Sequence, residues 1–252
     1  MKGLILAGGL GKRLYPLTKI TNKHLLPVYD RPMIFFPLLT LVKAGIKEIM
    51  IITGGNNAGD FIRLLGNGKS FGLSHLHYGY QEKELGIANA IEIAEDFIGE
   101  DLFTVILGDN IIEDDISGYV KEFEKIGEGA MIFLKKVSNP KEYGIAYIEK
   151  NKIKEIVEKP KEPKSDLAVV GLYMYDREIF KEIKRLTPSK RGEYEITDIN
   201  NYYLKKNKLY YREIKGFWGD AGENIDRLLE VNNYVAEKIK KDKEHWWNTK
   251  TF

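Results

Sequence analysis

Near-continuous apolar runs recur along the first half of the chain: KGLILA (2–7), EIMIIT (48–53) and LFTVILGD (102–109). A strand covered on both faces has no wet side, so these runs predict buried parallel strands. Between them PMIFFPLLTLVKAG (32–45), AGDFIRLLG (58–66) and GIANAIEIAEDF (86–97) carry apolar residues at helical spacing. Strand and helix in alternation predict a doubly wound α/β sheet. Past Gly129 the pattern changes. YGIAYIEK (143–150) and NKIKEIVEK (151–159) roughly alternate polar with apolar positions and meet at Lys150-Asn151, which predicts a hairpin with one wet face. LAVVGLYMYD (167–176) reads as a further strand, and helices are expected over 177–186 and 197–206. A last helix over 223–241 has Ile225, Leu228, Leu229, Val235 and Ile239 on one stripe. The tail HWWNTKTF (245–252) fits no pattern, so Trp246 and Trp247 stay unassigned. With no repeat and no low-complexity linker, one domain over 1–252 is expected, carrying an inserted antiparallel region.

Composition narrows the class. The 252 residues are 43% hydrophobic, enough for a substantial core, which excludes a disordered chain. The 39 Lys and Arg nearly balance the 37 Asp and Glu, so no overall field recruits nucleic acid or an anionic membrane. An anion must be caught by a local site, which favours a small ligand. The absence of cysteine excludes thiol catalysis, disulfides and zinc-thiolate sites, and His24, His75, His77 and His245 show no metal-ligand spacing. No stretch approaches the roughly 18 uninterrupted apolar residues of a membrane span, and the N-terminal run is too short for a secretory signal. A cytoplasmic protein is expected.

LAGGLGKRLYPLT (6–18) follows the first predicted strand, where a glycine-rich loop offers backbone N–H groups to a phosphate. The dinucleotide fingerprint fails, because Gly9-Leu10-Gly11 runs on into Lys12, Arg13 and Leu14 without the third glycine. A Walker loop fails too: Gly11-Lys12 is followed by Arg13 instead of Ser or Thr, and Leu6 stands five before Gly11. What remains is a turn bearing Lys12 and Arg13, with Lys23 close behind. It is either a polyphosphate cradle or a basic surface turn, and spacing leaves both open.

GLILAGGLGKRLYPLT with NKHLLPVYDRPMI strongly resembles the sugar nucleotidyltransferases, in particular the glucose-1-phosphate thymidylyltransferases. The resemblance runs on in family order through QEKELGIANA, VILGDN, YGIAYIE, EKPKEPKS, AVVGLYMYD, RGEYEITDIN and FWGDAG, over about residues 1 to 235. It implies a three-layer αβα, Rossmann-like mixed sheet, the nucleotide-diphospho-sugar transferase fold, with an inserted antiparallel sugar-binding region. The chain resembles the short form of the family, without the extra C-terminal helices of its long members. The implied reaction transfers a thymidylyl group from dTTP to α-D-glucose 1-phosphate and releases pyrophosphate, with Mg²⁺ as cofactor. The nucleophile is already an anion near neutral pH, so no general base is required. What the site must supply is alignment of two anions and neutralisation of developing charge.

Residue by residue, the resemblance assigns Arg13 and Lys23 to the triphosphate and the transferring phosphate, and Asp109 and Asp220 to Mg²⁺. Mg²⁺ takes few carboxylates and keeps phosphate and water oxygens as its other ligands, so two distant aspartates suffice. Without the resemblance Asp109-Asn110 is a strand-end turn and Asp220 a helix cap; Asp114 and Asp115 read as solvated acids opening the next helix. Leu6, Gly8, Gly9, Gly11 and Lys12 complete the nucleotide loop, while Gln81 and Gly86 fall in the block that reads the base. Many members have Thr in place of Lys12 and Gln in place of His24. On the sugar-phosphate side stand Gly144, Glu158, Lys159, Val169 and Tyr173; the alternative is that Glu158-Lys159 is one exposed pair and Tyr173 a core residue. UTP-dependent uridylyl transfer is the nearest rival, since the methyl of thymine is worth only about 1–3 kcal/mol. A regulatory relative that binds nucleotide without chemistry would have less use for both aspartates, and a glycosyltransferase would carry a D-x-D motif that GDN does not supply. Related enzymes form dimers and tetramers, so a homo-oligomer is expected.

Overall fold

In the first strand Leu4 and Leu6 point to one face and Ile5 and Ala7 to the other, and all four are buried. A sheet starting this way needs helices on both sides. The computed structural model describes residues 1–243 together with His245 and Trp247. Along the chain lie β1 (Lys2–Ala7), β2 (Pro27–Val28), β3 (Arg31–Pro32), α1 (Phe35–Lys43), β4 (Glu48–Gly54), α2 (Ala58–Leu65), β5 (His75–Gln81), α3 (Ile87–Glu92) and α4 (Glu95–Ile98). They are followed by β6 (Phe103–Leu107), β7 (Asn110–Ile112), α5 (Ser117–Ile126), β8 (Ala130–Lys136), β9 (Gly144–Glu149), β10 (Lys152–Glu158) and β11 (Leu167–Tyr175). The chain continues through α6 (Glu178–Ile183), α7 (Ile196–Lys205), β12 (Leu209–Glu213), β13 (Trp218–Asp220) and α8 (Ile225–Lys241).

Among the described residues the main sheet has nine strands. β6, β1 and β4 pair in parallel, as the apolar runs predict; β5 adds a further parallel strand beside β4, and β11 joins β6 antiparallel. β8 and β9 pair antiparallel with β11, and β10 with β9, so the antiparallel region continues the main sheet. The hairpin between β9 and β10 turns where the sequence predicts it, with φ of 50° at Lys150 and 59° at Asn151, as a type I′ turn demands. Against one face α1, α2 and α5 pack Leu38, Phe61 and Phe123 on Ile5, Ile51 and Met131. Against the other α3, α6 and α7 pack Ile91, Phe180 and Ile199 on Leu4, Val105 and Tyr175. The layers are therefore α, β and α.

Several elements depart from the sequence reading. The helix expected over 86–97 breaks into α3 and α4 at Ile93 and Ala94, and the strand expected over 102–109 stops at Leu107. In α8 Leu228, Val231 and Val235 form the buried stripe, continued by the partly buried Ile239; Ile225 is 43% and Leu229 60% exposed, because they lie off the face that the third core covers. β5, β8 and β12 are absent from the sequence reading: HLHYGYQ and LYYRE are short and rich in polar positions, whereas AMIFL, an apolar run between Gly129 and Lys135, carries a strand signal that the reading passes over. Among the described residues no helix is long and apolar enough to cross a membrane.

The third core lies under α8 and holds Leu14, Met33, Phe36 and Trp247. Trp247 meets Phe36 edge to face with centroids 5.6 Å apart, and its carbonyl accepts from Arg31 Nη1 at 2.5 Å. Trp246 lies outside the described residues. Trp247→Ala should lower the unfolding free energy by about 3–5 kcal/mol in urea denaturation, as deletion of a buried indole does; an unchanged midpoint would remove the tail from the core.

Candidate active site

The centre is built from the turns that leave β1 and β6 and from the ladder of β7 with β13. After Ala7 the chain wraps through Gly11, where a φ of 68° and the 2.9 Å that would separate an added Cβ from the Lys23 Cβ suit no side chain. A single helical turn then buries Leu14 and projects Lys12 and Arg13 outward. Asn22 caps the next turn by accepting the His24 N–H at 2.9 Å, and its amide donates to the Ala7 carbonyl at 3.3 Å. This tether sets Lys23 beneath the glycine loop, where its ammonium donates to Asp109 Oδ2.

Asp109 sits in the two-residue turn between β6 and β7, two positions beyond the strand end. The Asn110 amide donates to Asp109 Oδ1 at 3.0 Å, while Asn110 Oδ1 accepts from the Gly171 N–H at 3.0 Å and from Trp218 Nε1 at 2.7 Å. Register pairs Asn110 with Asp220, and Ala221 N–H donates to the Asp109 carbonyl at 2.9 Å. The two aspartates are thereby brought together from positions far apart in sequence. Gly222 is required by space alone: a Cβ there would stand 2.1 Å from Asp109 Oδ2 and 2.8 Å from Lys23 Nζ. Asp114 is no solvated acid, since it accepts from the Lys215 and Gly216 N–H groups at 2.9 and 2.6 Å and so fixes the loop entering β13. Asp115 accepts from the Ser117 N–H at 2.9 Å, at the start of α5.

Charge in this centre does not balance. Burial alone would push the Asp109 carboxyl up, but the Lys23 ammonium and the hydrogen bonds from Lys23 and Asn110 hold it well below the usual range. Asp109 is only 6% exposed. Burial and then the Asp109 charge push Asp220 up to about 7, only partly offset by Lys23. Burial would lower Lys23, yet Asp109 and Asp220 outweigh it and keep the ammonium charged. One buried cation thus serves two carboxylates.

Two hollows open from this centre. The larger, about 670 Å³, is lined by Leu6, Gly8, Gly9, Gly11, Lys12, Lys23, Gln81, Gly86 and Asp109. The smaller, about 250 Å³, is lined by Gly144, Glu158, Val169, Tyr173 and Asp220. Arg13, Lys159 and Arg191 line both, so the hollows form one cleft with three cations at its waist. Every residue that the resemblance assigns to the nucleotide, the metal or the sugar phosphate therefore lines the same cleft. The Gln81 amide donates to Asn89 Oδ1 at 3.1 Å and to the Gly86 carbonyl at 3.3 Å. Lys12, 79% exposed, lies 3.3 Å from Glu84 Oε2, and Glu84 Oε1 accepts the Leu10 N–H at 2.5 Å, which ties the glycine loop to the opposite rim. Tyr173 is both core and wall: it is buried, and burial followed by the charges of Glu158 and Asp220 raises its phenol. Glu158 Oε2 accepts from Thr197 Oγ1 at 2.6 Å.

Sequence reasoning missed Arg191. Its Nη2 lies 2.7 Å from Glu195, 3.2 Å from Glu193 and 3.4 Å from Glu158, a cation among acids that reads in sequence as a solvated charge run. It also missed Asn110, which links the turn of Asp109, β11 and β13, and Gly222, whose need for space appears only in three dimensions.

Residues 2–238 match the sequence profile of the nucleotidyl transferase family. The chain belongs to that family. A glucose-1-phosphate thymidylyltransferase of Neisseria meningitidis is 44% identical over 239 residues, covering 93% of this chain and 82% of that protein. A Bacillus anthracis structure assigned as a glucose-1-phosphate thymidylyltransferase, solved in complex with a sucrose, superposes with a TM-score of 0.89 at 52% identity, over 93% of this chain and 95% of that one. A UDP-glucose pyrophosphorylase complexed with UDP-glucose superposes at 0.81 with 26% identity, over 94% and 98% of the two chains. In this nucleotidyltransferase His24 is enclosed, with Nδ1 2.7 Å from Asn22 Oδ1.

Burial, then the neighbouring Lys23 charge, lower His24 to about 3 from 6.5. The folded protein therefore binds one proton fewer than the unfolded chain between those values, and stability falls as pH drops below 6.5. Between pH 7 and pH 5 the loss through His24 is roughly 2 kcal/mol. His24→Gln should flatten that part of the stability profile measured by urea unfolding at each pH; an identical profile would show that His24 protonates freely in the fold.

Proposed function

We propose that the larger hollow binds a nucleoside triphosphate and the smaller one a sugar 1-phosphate, and that the chain makes dTDP-glucose and pyrophosphate from dTTP and glucose 1-phosphate. One observation carries the reading: Arg13, Lys159 and Arg191 stand at the waist where the hollows meet, with Asp109 on one side and Asp220 on the other. That is where two anionic substrates would have to be brought into line for attack at the α-phosphorus. Fixed cations there offset the repulsion between them and the charge that grows as pyrophosphate leaves. The forked guanidinium of Arg13 and the ammonium of Lys23 would grip the triphosphate. Lys159 would hold the sugar phosphate while Glu158, positioned by Thr197, accepts from sugar hydroxyls. Gln81, buried beside Gly8, would read the pyrimidine edge through its amide.

Asp109 and Asp220 are the residues that would hold Mg²⁺. Their surplus negative charge over Lys23 and their hard oxygen donors suit such an ion. When bound, it supplies charge neutralisation at the phosphate oxygens. Attack needs no proton removed from the sugar phosphate, in keeping with a cleft whose enclosed histidine stays neutral. The identities of 44% and 52% to proteins named for thymidylyl transfer, against 26% to a UDP-glucose pyrophosphorylase, support dTTP over UTP.

Purified protein with Mg²⁺, glucose 1-phosphate and each nucleoside triphosphate in turn should release pyrophosphate fastest with dTTP. Faster release with UTP would transfer the assignment to uridylyl transfer, and no release with any of them would leave a binding protein.

A further inference from the structure

Beyond the sugar side of the cleft lies a third hollow, of about 770 Å³, that the proposed reaction does not use. Phe217 and Tyr234 line it as a stacked pair with centroids 3.8 Å apart, and Lys136, Arg227 and Asp226 add charged groups. Tyr143 and Trp218 line both this hollow and the sugar half. Their rings meet edge to face at 5.4 Å and together form the partition.

The two halves of the partition are anchored differently. Trp218 is 5% exposed and spends its indole N–H on Asn110, which orients Asp109. Tyr143 is half-buried and fixed at both ends. Its carbonyl accepts from the Lys159 N–H at 3.0 Å, and its hydroxyl donates to Glu223 Oε2 at 2.5 Å. Burial, then that hydrogen bond, raise the phenol, so the donor keeps its proton. Glu223 itself faces the third hollow.

We propose that the Tyr143 ring, held upright by Glu223, is the wall that limits sugar size, and that the hollow behind it takes the extra group of a larger sugar 1-phosphate once the ring is removed. This rests on the sugar 1-phosphate assignment of the smaller hollow made above. With the ring in place about 250 Å³ faces the ligand, which suits one hexose. Without it, that space opens into the 770 Å³ hollow, whose aromatic faces and charged groups suit the C–H faces and hydroxyls of a second sugar ring.

The test compares kcat/KM for maltose 1-phosphate and glucose 1-phosphate, with dTTP, in wild type, Tyr143→Ala, Tyr143→Leu and Glu223→Gln. Tyr143→Ala should raise the maltose-to-glucose ratio by about tenfold or more, the scale at which hydrophobic pocket contacts discriminate. Tyr143→Leu, which keeps an apolar core side chain, should move the ratio in the same direction and serves if the alanine variant does not fold. Glu223→Gln keeps an oxygen that accepts from the Tyr143 hydroxyl and removes only the charge, so the ring stays upright and the ratio should shift less than in Tyr143→Ala. An unmoved ratio in Tyr143 variants that still use glucose 1-phosphate overturns the wall alone. Wild-type protein inert toward glucose 1-phosphate overturns the sugar assignment, and the wall with it.

Discussion

The cleft is organised around one electrostatic constraint: two aspartates lie close together in a largely buried place with a single ammonium, Lys23, between them. Removing one partner of a buried ion pair typically costs about 3–5 kcal/mol, so the fold must hold all three groups at once. It does so with backbone. The β7–β13 ladder fixes Asp220 against the turn of Asp109, the tether from Asn22 to Ala7 sets Lys23, and Gly222 leaves the space in which they meet.

From that constraint the remaining features follow in order. A centre short of positive charge is incomplete by itself and favours cations or cation-bearing ligands. Arg13, Lys159 and Arg191 gather at its edge, each from a different part of the chain: the glycine loop, the end of β10 and the approach to α7. Arg191 is restrained by Glu158, Glu193 and Glu195, so its guanidinium is oriented before any phosphate arrives. Asn110 joins the charged centre to the sugar half, because the same carboxamide orients Asp109 and binds the Gly171 N–H at the irregular register of β11.

The parallel half of the sheet was legible because each of its inner strands is apolar on both faces and announces itself without context. The hairpin was legible because Lys150-Asn151 interrupts two alternating runs. β5 was not, since an edge strand reading HLHYGYQ carries too many polar positions, and α8 showed its length and, at Leu228, Val235 and Ile239, much of its buried stripe, but not that Ile225 and Leu229 face solvent. Within the site the loop physics gave a phosphate-friendly turn, and the ordered family motifs placed Asp109, Asp220 and Lys159 on one cleft. Arg191 and Gly222 stayed hidden for a physical reason. The first is defined by which acids surround it in space, and the second by the distance from a missing Cβ to an ion pair 86 residues apart.

The central claim is that the Asp109–Asp220 pair is the charge centre of phosphoryl chemistry and not a structural accident of the ladder. The direct measurement is kcat for Asp109→Asn and Asp220→Asn beside the wild type, with Mg²⁺, dTTP and glucose 1-phosphate saturating and the fold followed by circular dichroism. Each substitution keeps shape and removes charge, so each should lower kcat by about 10²-fold or more while the spectrum holds. An Asp220→Asn protein with undiminished kcat would contradict the account.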